Sequence, residues 1–337
     1  MLIFDEKISS DSVPAWDHLA EKNGREKVLM FDLETTGFSP VNSFIYIIGI
    51  NLWKEDSWHI IQLFNDDGKS EPEMIAHFME LLENKTTLFH FNGDRFDIPF
   101  VLGRMEKIKN SLKISIPDRM SPLDSVDFFK EIKPFKYALG LPNVKQKTVE
   151  KYLGIYREDQ YDGGQLINVY LSYLSSGSKR NRDLVLLHNR DDMEGMYHLA
   201  RIRALTDLCD GAFQVGDLSM LSKGRLLFLE LSLAAETSLP TSLVTTGFGA
   251  TLRGEAANVL LQLPIHAGCC TCCITKDTEE GYFLPDAGFT GTPLFHDPAS
   301  KKTTYIAAND TLLGNAEHLK EYAACCIRAL LKPKRNK

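Results

Sequence analysis

The sequence predicts an α/β protein in which helices flank a mixed sheet, followed by a smaller β-rich unit closed by a helix. Three strand-like segments follow one another near the start, and strand and helix patterns then alternate to about residue 204. Residues 240–314 are instead dense in Thr, Gly and Pro between short apolar runs, which is typical of short strands and turns. With 337 residues the chain is long enough for two domains. We therefore expect an N-terminal extension over 1–26, a first domain over 27–204 and a C-terminal α+β domain over 205–337.

The first sheet begins with three segments rich in Ile, Phe, Tyr and Trp, which read KVLMFDLETT, SFIYIIGINLW and SWHIIQLF. Short turns separate them, so we expect a three-strand antiparallel meander. TTLFHF and PLDSVDFF follow as further strands between helix patterns, and this alternation predicts parallel strands in the same sheet. The predicted helices are EPEMIAHFMELLEN, FDIPFVLGRMEKIK and stretches near 146–153, 163–176 and 181–203.

After about residue 205 the pattern changes. CDGAFQVGDLSML has the composition of a linker, and LSKGRLLFLELSLAAE predicts a helix. The turn sequences KDTEEG and DPASKK then separate short apolar runs, as in a small β-rich unit. NAEHLKEYAACCIRALLK predicts a closing helix with Asn315 as its N-cap. No motif in residues 205–337 indicates what this part does.

Composition is that of an ordinary globular protein, because 44% of the residues are hydrophobic and 25% are charged. No apolar run approaches the ~18 residues of a membrane span, and the acidic N-terminus lacks the basic start and apolar core of a secretory signal. The seven cysteines are an odd number, and the first of them is Cys209. We therefore expect a cytoplasmic protein with no disulfide framework and no membrane partner.

Charge is distributed unevenly along the chain. The net charge of −7 argues against a non-specific nucleic-acid binder. Residues 1–100 carry 8 Lys/Arg against 18 Asp/Glu, whereas residues 101–160 carry 12 against 8. An acidic half beside a basic segment suits a metal centre with a phosphate-bearing substrate, although ordinary surface variation explains the charges equally well.

The segment FDLETTG places two carboxylates at the end of a buried strand. Side chains at positions i and i+2 of a strand share one face, so Asp32 and Glu34 are expected to point the same way. Two buried anions repel each other and are costly without a partner. The pattern therefore predicts a cation between them, and a metal ion is the candidate.

A second segment, LFHFNGDRFDIPF, runs from a buried strand through a turn into a helix. Asp97 lies at the start of this helix, where Pro99 fits the first turn. Sites of α/β proteins usually lie at this edge of the sheet. The alternative is that Asp97 or Asp94 only caps the helix, since Asp is a preferred cap.

A third segment, LLHNRDDMEGMYHL, carries His188 and Asp192 four residues apart on one helix face. Alone, this pair is more typical of a surface contact. Together with the first two segments it completes a set of four carboxylates. Such a set can hold two divalent cations for the hydrolysis of a phosphodiester. His188 would lie within reach of the attacking water as a general base.

In order and spacing, FDLETTG, FNGDRFDIPF and HNRDDMEGMYHL resemble the three exonuclease motifs of the DEDD superfamily, whose members have a ribonuclease H-like fold. GLPNVKQKTVEKYLGIYREDQYDGGQLINVYLSYL, which precedes LLHNRDD, is most similar to bacterial YprB-type ribonuclease H-like domain proteins. The resemblance covers about residues 27–203. It implies a 3′–5′ exonuclease that hydrolyses DNA or RNA from a free 3′ end with two divalent cations, Mg²⁺ or Mn²⁺.

Residue by residue, the resemblance implies four metal ligands: Asp32, Glu34, Asp97 and Asp192. The two large branches of the superfamily carry Tyr-x-x-x-Asp or His-x-x-x-x-Asp before the final ligand. This chain has His188-x-x-x-Asp192 instead, the residue of one branch at the spacing of the other. We expect His188 to act as the base or to orient the water, and a structural histidine is the alternative.

Substrate contacts are expected from five residues: Thr35, Asn92, Phe96, Lys145 and Lys147. The first three belong to the first and second motifs. The lysines lie in the basic segment between the second and third motifs, where aromatic residues that can stack on bases are interleaved with lysines. A solvated helix face with core aromatics explains this segment equally well.

Two other functions fit the sequence. One is a structure-specific endonuclease on the same fold, and the other is a catalytically silent nucleic-acid-binding or scaffold protein. The cluster Cys269–Cys273 in HAGCCTCCITK lacks a second C-x-x-C pair. We therefore expect small thiols in a strand rather than a zinc site. No sequence feature indicates a protein partner.

Overall fold

The computed structural model describes residues 1–157, 161, 163–223, 225–272, 278–285, 295–296, 304–307 and 316–333. The chain divides into two compact units. The first contains Met1–Lys133 and Asn143–Ala200, and the second contains Pro134–Pro142 and Arg201–Lys337. Each unit has a sheet of its own.

The first unit alternates strands and helices. Its strands are β1 (Leu2–Ile8), β2 (Val28–Thr35), β3 (Ile45–Lys54), β4 (Ser57–Phe64), β5 (Thr87–His90) and β6 (Asp124–Asp127). Its helices are α1 (Pro14–Asn23), α2 (Glu71–Leu81), α3 (Asp97–Leu112), α4 (Phe128–Ile132), α5 (Gln146–Tyr152), α6 (Gly163–Ser176) and α7 (Lys179–Leu199).

The sheet of the first unit has the order β1-β4-β3-β2-β5-β6. Strands β2, β3 and β4 form an antiparallel meander, and β5 and β6 add to β2 as parallel strands. The predicted mixed sheet is therefore confirmed. Residues 1–26 contribute to the same unit, because β1 pairs antiparallel with β4 and places Leu2 opposite Phe64.

Helices cover both faces of this sheet, which is why its central strands are apolar almost throughout. On one face α2 and α3 pack against β2 and β3, and the rings of Phe31 and Phe78 stack with centroids 5.3 Å apart. On the other face α6 and α7 pack against β3 and β4, and Tyr46 stacks on Tyr170 at 4.3 Å. The core thus holds β2, the strand that carries the candidate ligands Asp32 and Glu34, between α3 and α7.

Local sequence signals set the ends of these two helices. Helix α3 begins at Asp97, with Pro99 in its first turn. Helix α7 begins after Ser178, whose hydroxyl accepts a hydrogen bond from the Asn181 N–H as an N-cap. Helix α7 ends at Leu199, earlier than the predicted 203.

The second unit is an antiparallel β structure with helices. Its strands are β7 (Phe213–Lys223), β8 (Leu226–Ala235), β9 (Leu243–Gly247), β10 (Ala250–Glu255), β11 (Asn258–Cys272), β12 (Thr278–Pro285), β13 (Phe295–His296) and β14 (Thr304–Ala307). Among its described residues the helices are α8 (Arg203–Cys209) and α9 (Ala316–Leu331). The predicted β-rich unit with a closing helix is confirmed.

The predictions for the start of this unit are wrong. The expected linker forms β7, and the expected helix forms β8, which pairs with both β7 and β11. Leu229, Leu231 and Leu233 are buried at alternate positions of β8, as a strand with one covered face requires. Leucine is a good helix former, so the composition favoured a helix, and pairing with distant strands overrides that preference.

In the cysteine cluster, Cys273 and the side chains of Cys269, Cys270 and Cys272 lie outside the described residues. The expectation that it holds no zinc stays a prediction. Within the part of the chain that the structure describes, no helix is long and apolar enough to cross a membrane.

Candidate metal centre and nucleic-acid cleft

Strand β2 carries the first two carboxylates near its end. Glu34 is buried, and Tyr46 on the neighbouring strand β3 donates a hydrogen bond of 3.5 Å from its hydroxyl to Glu34 Oε2. The pairing of β2 with β3 shifts register between Glu34 and Thr35, as at a β-bulge. The Thr35 hydroxyl donates to the Gly37 carbonyl at 2.9 Å, so this candidate substrate contact closes the turn that follows the strand.

Asp97 is the first residue of α3 and is buried. Burial raises the pKa of its carboxyl to about 7, although backbone N–H groups of Asp97 and Leu33 bond to it and favour the charged form. The neighbouring Asp94 is directed elsewhere, because it pairs with Lys130 and accepts from the Ser125 hydroxyl. The structure thus brings Asp97, and not Asp94, to the carboxylate centre.

Helix α7 brings the third motif to the same place. His188 Nε2 lies 3.3 Å from Asp192 Oδ2 and 3.7 Å from Glu34 Oε1. These three side chains each offer one ligand atom, and the three atoms lie within 4.8 Å of one another. Asp191, one residue earlier, is not a member of this group.

The centre is strongly acidic. Burial raises the pKa of Asp32 well above its usual range, and the charges of Asp192, Asp97 and Glu34 raise it further, whereas Arg157 lowers it. Four carboxylates this close are unfavourable in their charged form unless a cation joins them. Carboxylate oxygens are the ligands that suit divalent cations such as Mg²⁺ and Mn²⁺. The residues of this centre therefore fit the divalent cations that the sequence predicts.

An arginine lies beside this centre. Arg157 Nη1 lies 2.5 Å from Asp192 Oδ1, and its Nε and Nη2 bond to the two carboxylate oxygens of Glu150. Gln146 Nε2 donates to Glu150 Oε1 at 2.9 Å and to the Asp192 carbonyl at 2.8 Å. Sequence reasoning missed Arg157, because it follows α5 in a segment without periodicity or motif.

Asn189 is a second residue that sequence reasoning missed. Its Nδ2 donates to Asp32 Oδ2 at 3.3 Å, and its Oδ1 accepts from Gln62 Nε2 at 3.0 Å. A signal was present, because Asn189 and Asp192 are three residues apart and share one face of α7.

A cleft of about 550 Å³ opens beside the acidic centre. It is lined by Asp32, Leu33, Phe91, Asn92, Arg95, Phe96, Asp97, Phe129, Val144, Lys145 and Gln146. Two carboxylates, two positively charged side chains and three phenylalanine rings thus face one space. Phosphates need cations and unstacked bases can stack on aromatic rings, so this lining suits a single strand of nucleic acid.

Only some of the predicted substrate residues line this cleft. Asn92, Phe96 and Lys145 line the cleft. Lys147 does not belong to this lining, and its Nζ donates to the Tyr161 carbonyl at 2.7 Å. Arg95 does line the cleft and was not among the predicted contacts.

A family model described as RNase_H_2, of the RNase H superfamily, matches residues 29–203. The match covers slightly more than half of the chain and contains all three motifs. The chain belongs to the RNase H superfamily. Membership in the RNase H superfamily agrees with the mixed sheet of the first unit, and the finer assignment to the YprB type stays a prediction.

Two curated viral proteins are similar to parts of the chain. The DNA polymerase of Ostreid herpesvirus 1 (isolate France) is 33% identical over 84 residues, 24% of this chain and 4% of the polymerase. The DNA polymerase of Bombyx mori nuclear polyhedrosis virus is 36% identical over 61 residues, 18% of this chain and 6% of the polymerase. The chain thus spans less than a tenth of the length of these relatives.

Solved structures of other proteins are also similar. The family B DNA polymerase of the hyperthermophilic archaeon Pyrobaculum calidifontis aligns with a TM-score of 0.41 at 15% identity, covering 55% of this chain and 25% of that one. The zinc-bound complex of E. coli exonuclease I with single-stranded DNA aligns with a TM-score of 0.28 at 15% identity, covering 64% of this chain and 53% of that one.

Proposed function

We propose that the protein is a metal-dependent 3′–5′ exonuclease that hydrolyses phosphodiester bonds of nucleic acid. The observation that carries the proposal is the convergence of four carboxylates from β2, α3 and α7 at the side of an open cleft: Asp32, Glu34, Asp97 and Asp192. Membership in the RNase H superfamily and similarity to viral DNA polymerases support nucleic acid as the substrate. The 3′–5′ direction follows from the resemblance of the three motifs to DEDD exonucleases.

The four carboxylates would hold two divalent cations, Mg²⁺ or Mn²⁺. Bound there, the cations supply Lewis acidity to the scissile phosphate and to the attacking water. His188 Nε2 faces the carboxylates of Glu34 and Asp192. A water molecule held between the imidazole and these carboxylates would lie within hydrogen-bonding reach of Nε2. The imidazole would accept the proton of that water as its oxygen attacks phosphorus. The bond from phosphorus to the 3′ oxygen of the preceding nucleotide would break, and that oxygen would leave and take up a proton from solvent.

Cleft residues would orient the strand. Arg95 and Lys145 would contact phosphates of the backbone, and Phe96 and Phe129 would contact bases. These contacts carry no base identity, so the proposed enzyme would act on many sequences.

The test is digestion of 5′-labelled single-stranded DNA and RNA with Mn²⁺ or Mg²⁺. We expect a ladder that shortens from the 3′ end and disappears with chelator, with Asp32→Asn and with Asp97→Asn. Asp94→Asn is the matched control, because Asp94 lies in the same turn as Asp97 but pairs with Lys130. This control should retain the ladder.

Two results would overturn the proposal. Cleavage of circular or 3′-blocked strands at an equal rate would instead indicate an endonuclease. Binding of nucleic acid without cleavage, unchanged by the Asp32→Asn substitution, would instead indicate a catalytically silent binding protein.

A further inference from the structure

We infer that Arg157 is a built-in competitor of the catalytic cations, which occupies Asp192 Oδ1 and so weakens metal binding at the carboxylate centre. The inference rests on the proposed function, because it requires a cation at this centre. It goes beyond that function in assigning a role to a residue that belongs to none of the three motifs.

The guanidinium of Arg157 lies directly against Asp192. Arg157 is almost fully buried, with 7% of its side chain exposed, and its Nη1 lies 2.5 Å from Asp192 Oδ1. The other oxygen of Asp192, Oδ2, faces His188 at 3.3 Å. Asp192 therefore offers one oxygen to a cation, while the arginine occupies the other.

Glu150 and Gln146 hold the arginine in this position. Glu150 binds Nε and Nη2 as a two-pronged partner on the side of the guanidinium away from Nη1, and only 1% of its side chain is exposed. Gln146 bonds to both Glu150 and the Asp192 carbonyl, which ties α5 to α7. This arrangement fixes the guanidinium of a long side chain that would otherwise be free to move.

Helix α7 makes room for this arrangement at Gly195. A Cβ atom at Gly195 would lie 1.8 Å from Glu150 Oε1, so any other residue would displace Glu150. The absence of a side chain at this position therefore lets Glu150 and Arg157 reach Asp192.

The charge of Arg157 opposes the binding of a cation at this centre. A fixed positive charge a few ångströms from a cation site repels an incoming divalent ion, and burial reduces screening by solvent. Glu150 partly compensates that charge but lies farther from Asp192 than Arg157 does. Removing both charges should therefore strengthen metal binding, and removing Glu150 alone should weaken it.

The opposite effects of these two changes on metal binding distinguish a competitor of the metal ion from an ion pair that only stabilises the fold. If Arg157 and Glu150 only stabilised the fold, both changes would weaken metal binding or leave it unchanged. Replacing both partners of a buried ion pair is also far less destabilising than removing one. The double variant is therefore the suitable one to make.

The experiment measures Mn²⁺ binding by isothermal titration calorimetry, without nucleic acid, for the full chain. Glu150→Gln/Arg157→Gln should bind Mn²⁺ about tenfold more tightly than the wild type, and Glu150→Gln about threefold more weakly. Glu6→Gln/Arg190→Gln is the matched control, because it removes an arginine–glutamate pair at the exposed side of α7. Its dissociation constant should stay within about twofold of the wild-type value.

Thermal unfolding of each metal-free variant shows whether it is folded. Equal or weaker Mn²⁺ binding by the double variant would overturn the inference. If the double variant does not fold, Mn²⁺ binding by Glu150→Gln is measured instead, and tighter or unchanged binding there would overturn the inference. If the wild type binds no Mn²⁺ at all, both this inference and the proposed function fail, whereas normal wild-type binding with the wrong signs overturns the inference alone.

Discussion

Asn189 Nδ2 donates a hydrogen bond of 3.3 Å to Asp32 Oδ2 and so joins helix α7 to strand β2. Gln62 Nε2 holds the other end of the amide by donating to Asn189 Oδ1 at 3.0 Å. The amide lies directly over Gly49 of β3, where a Cβ atom would be 2.4 Å from Asn189 Oδ1. The position of Asp32 therefore depends on a glycine that belongs to none of the three motifs.

This relationship predicts the effect of Gly49→Ala. The added methyl group must displace the Asn189 amide, which would release Asp32 from its hydrogen bond. We expect the turnover number to fall about tenfold or more and the free energy of unfolding to fall by about 1–3 kcal/mol. Steady-state digestion and urea unfolding measure the two effects. Gly163→Ala is the control, because a Cβ there meets no atom of the described residues within 4 Å. Equal behaviour of the two variants would contradict the prediction.

The raised pKa of Asp97 predicts how stability depends on pH. Its carboxyl has a pKa of about 7 in the folded protein because of burial, against an ordinary value of 3.8. Between these values the folded state binds more protons than the unfolded state, so this group makes the protein less stable as pH rises through that window. Asp97→Asn should therefore be more stable than the wild type at pH 8 by at most about 4 kcal/mol, and similar at pH 4.

Urea unfolding in the presence of chelator, repeated from pH 4 to pH 8, tests this sign. A stability difference between Asp97→Asn and the wild type that stays constant with pH would contradict the assignment. Burial raises the pKa of Asp94, but its hydrogen bonds with Lys130 and Ser125 lower it more, so the pKa lies below its ordinary value. Asp94→Asn should therefore lack this gain at high pH.

A buried ion pair remote from the centre predicts a loss of stability. Arg104 on α3 bonds through Nε and Nη2 to both oxygens of Glu71 on α2, and Glu71 Oε1 also accepts from the Ile45 N–H of β3. Arg104→Ala would leave a buried carboxylate without its charge partner and should lower the free energy of unfolding by about 3–5 kcal/mol. Urea unfolding measures it. The double variant Glu71→Gln/Arg104→Met should lose clearly less, and a larger loss would contradict the explanation.

The lining of the cleft predicts which positively charged side chains bind substrate. Arg95→Ala and Lys145→Ala should each raise the Michaelis constant several-fold and reduce the salt dependence of binding by about one phosphate contact. Lys147→Ala should have a smaller effect, because its ammonium group already bonds to the Tyr161 carbonyl. Lys109→Ala, in the last turn of α3, is the control. Binding titrations at several salt concentrations decide it, and an equal effect of all four substitutions would contradict this account of the cleft.

Much of the first unit could be predicted from sequence because its signals are local. Strands buried on both faces read as continuous apolar runs, and β2, β3 and β4 were predicted to within two residues of their ends. Asp32 and Glu34 could be paired because the strand period fixes their common face, and His188 and Asp192 because the helix period does.

The remaining features depend on contacts between distant parts of the chain. Arg157 reaches Asp192 only because α5 packs on α7, and no local period marks it. Strand β8 was mistaken for a helix because its leucines favour both states, and pairing with β11 decides between them. Sequence patterns indicate well which helix or strand a residue belongs to, but they seldom indicate which distant residue it contacts.

The most direct test of the account is an anomalous difference map from crystals soaked in Mn²⁺. The account predicts peaks within about 2.5 Å of carboxylate oxygens of Asp32, Glu34, Asp97 and Asp192, and their loss in crystals of Asp32→Asn. A map with no peak among these four side chains, or with peaks only elsewhere on the protein, would contradict the claim that this centre holds the catalytic cations.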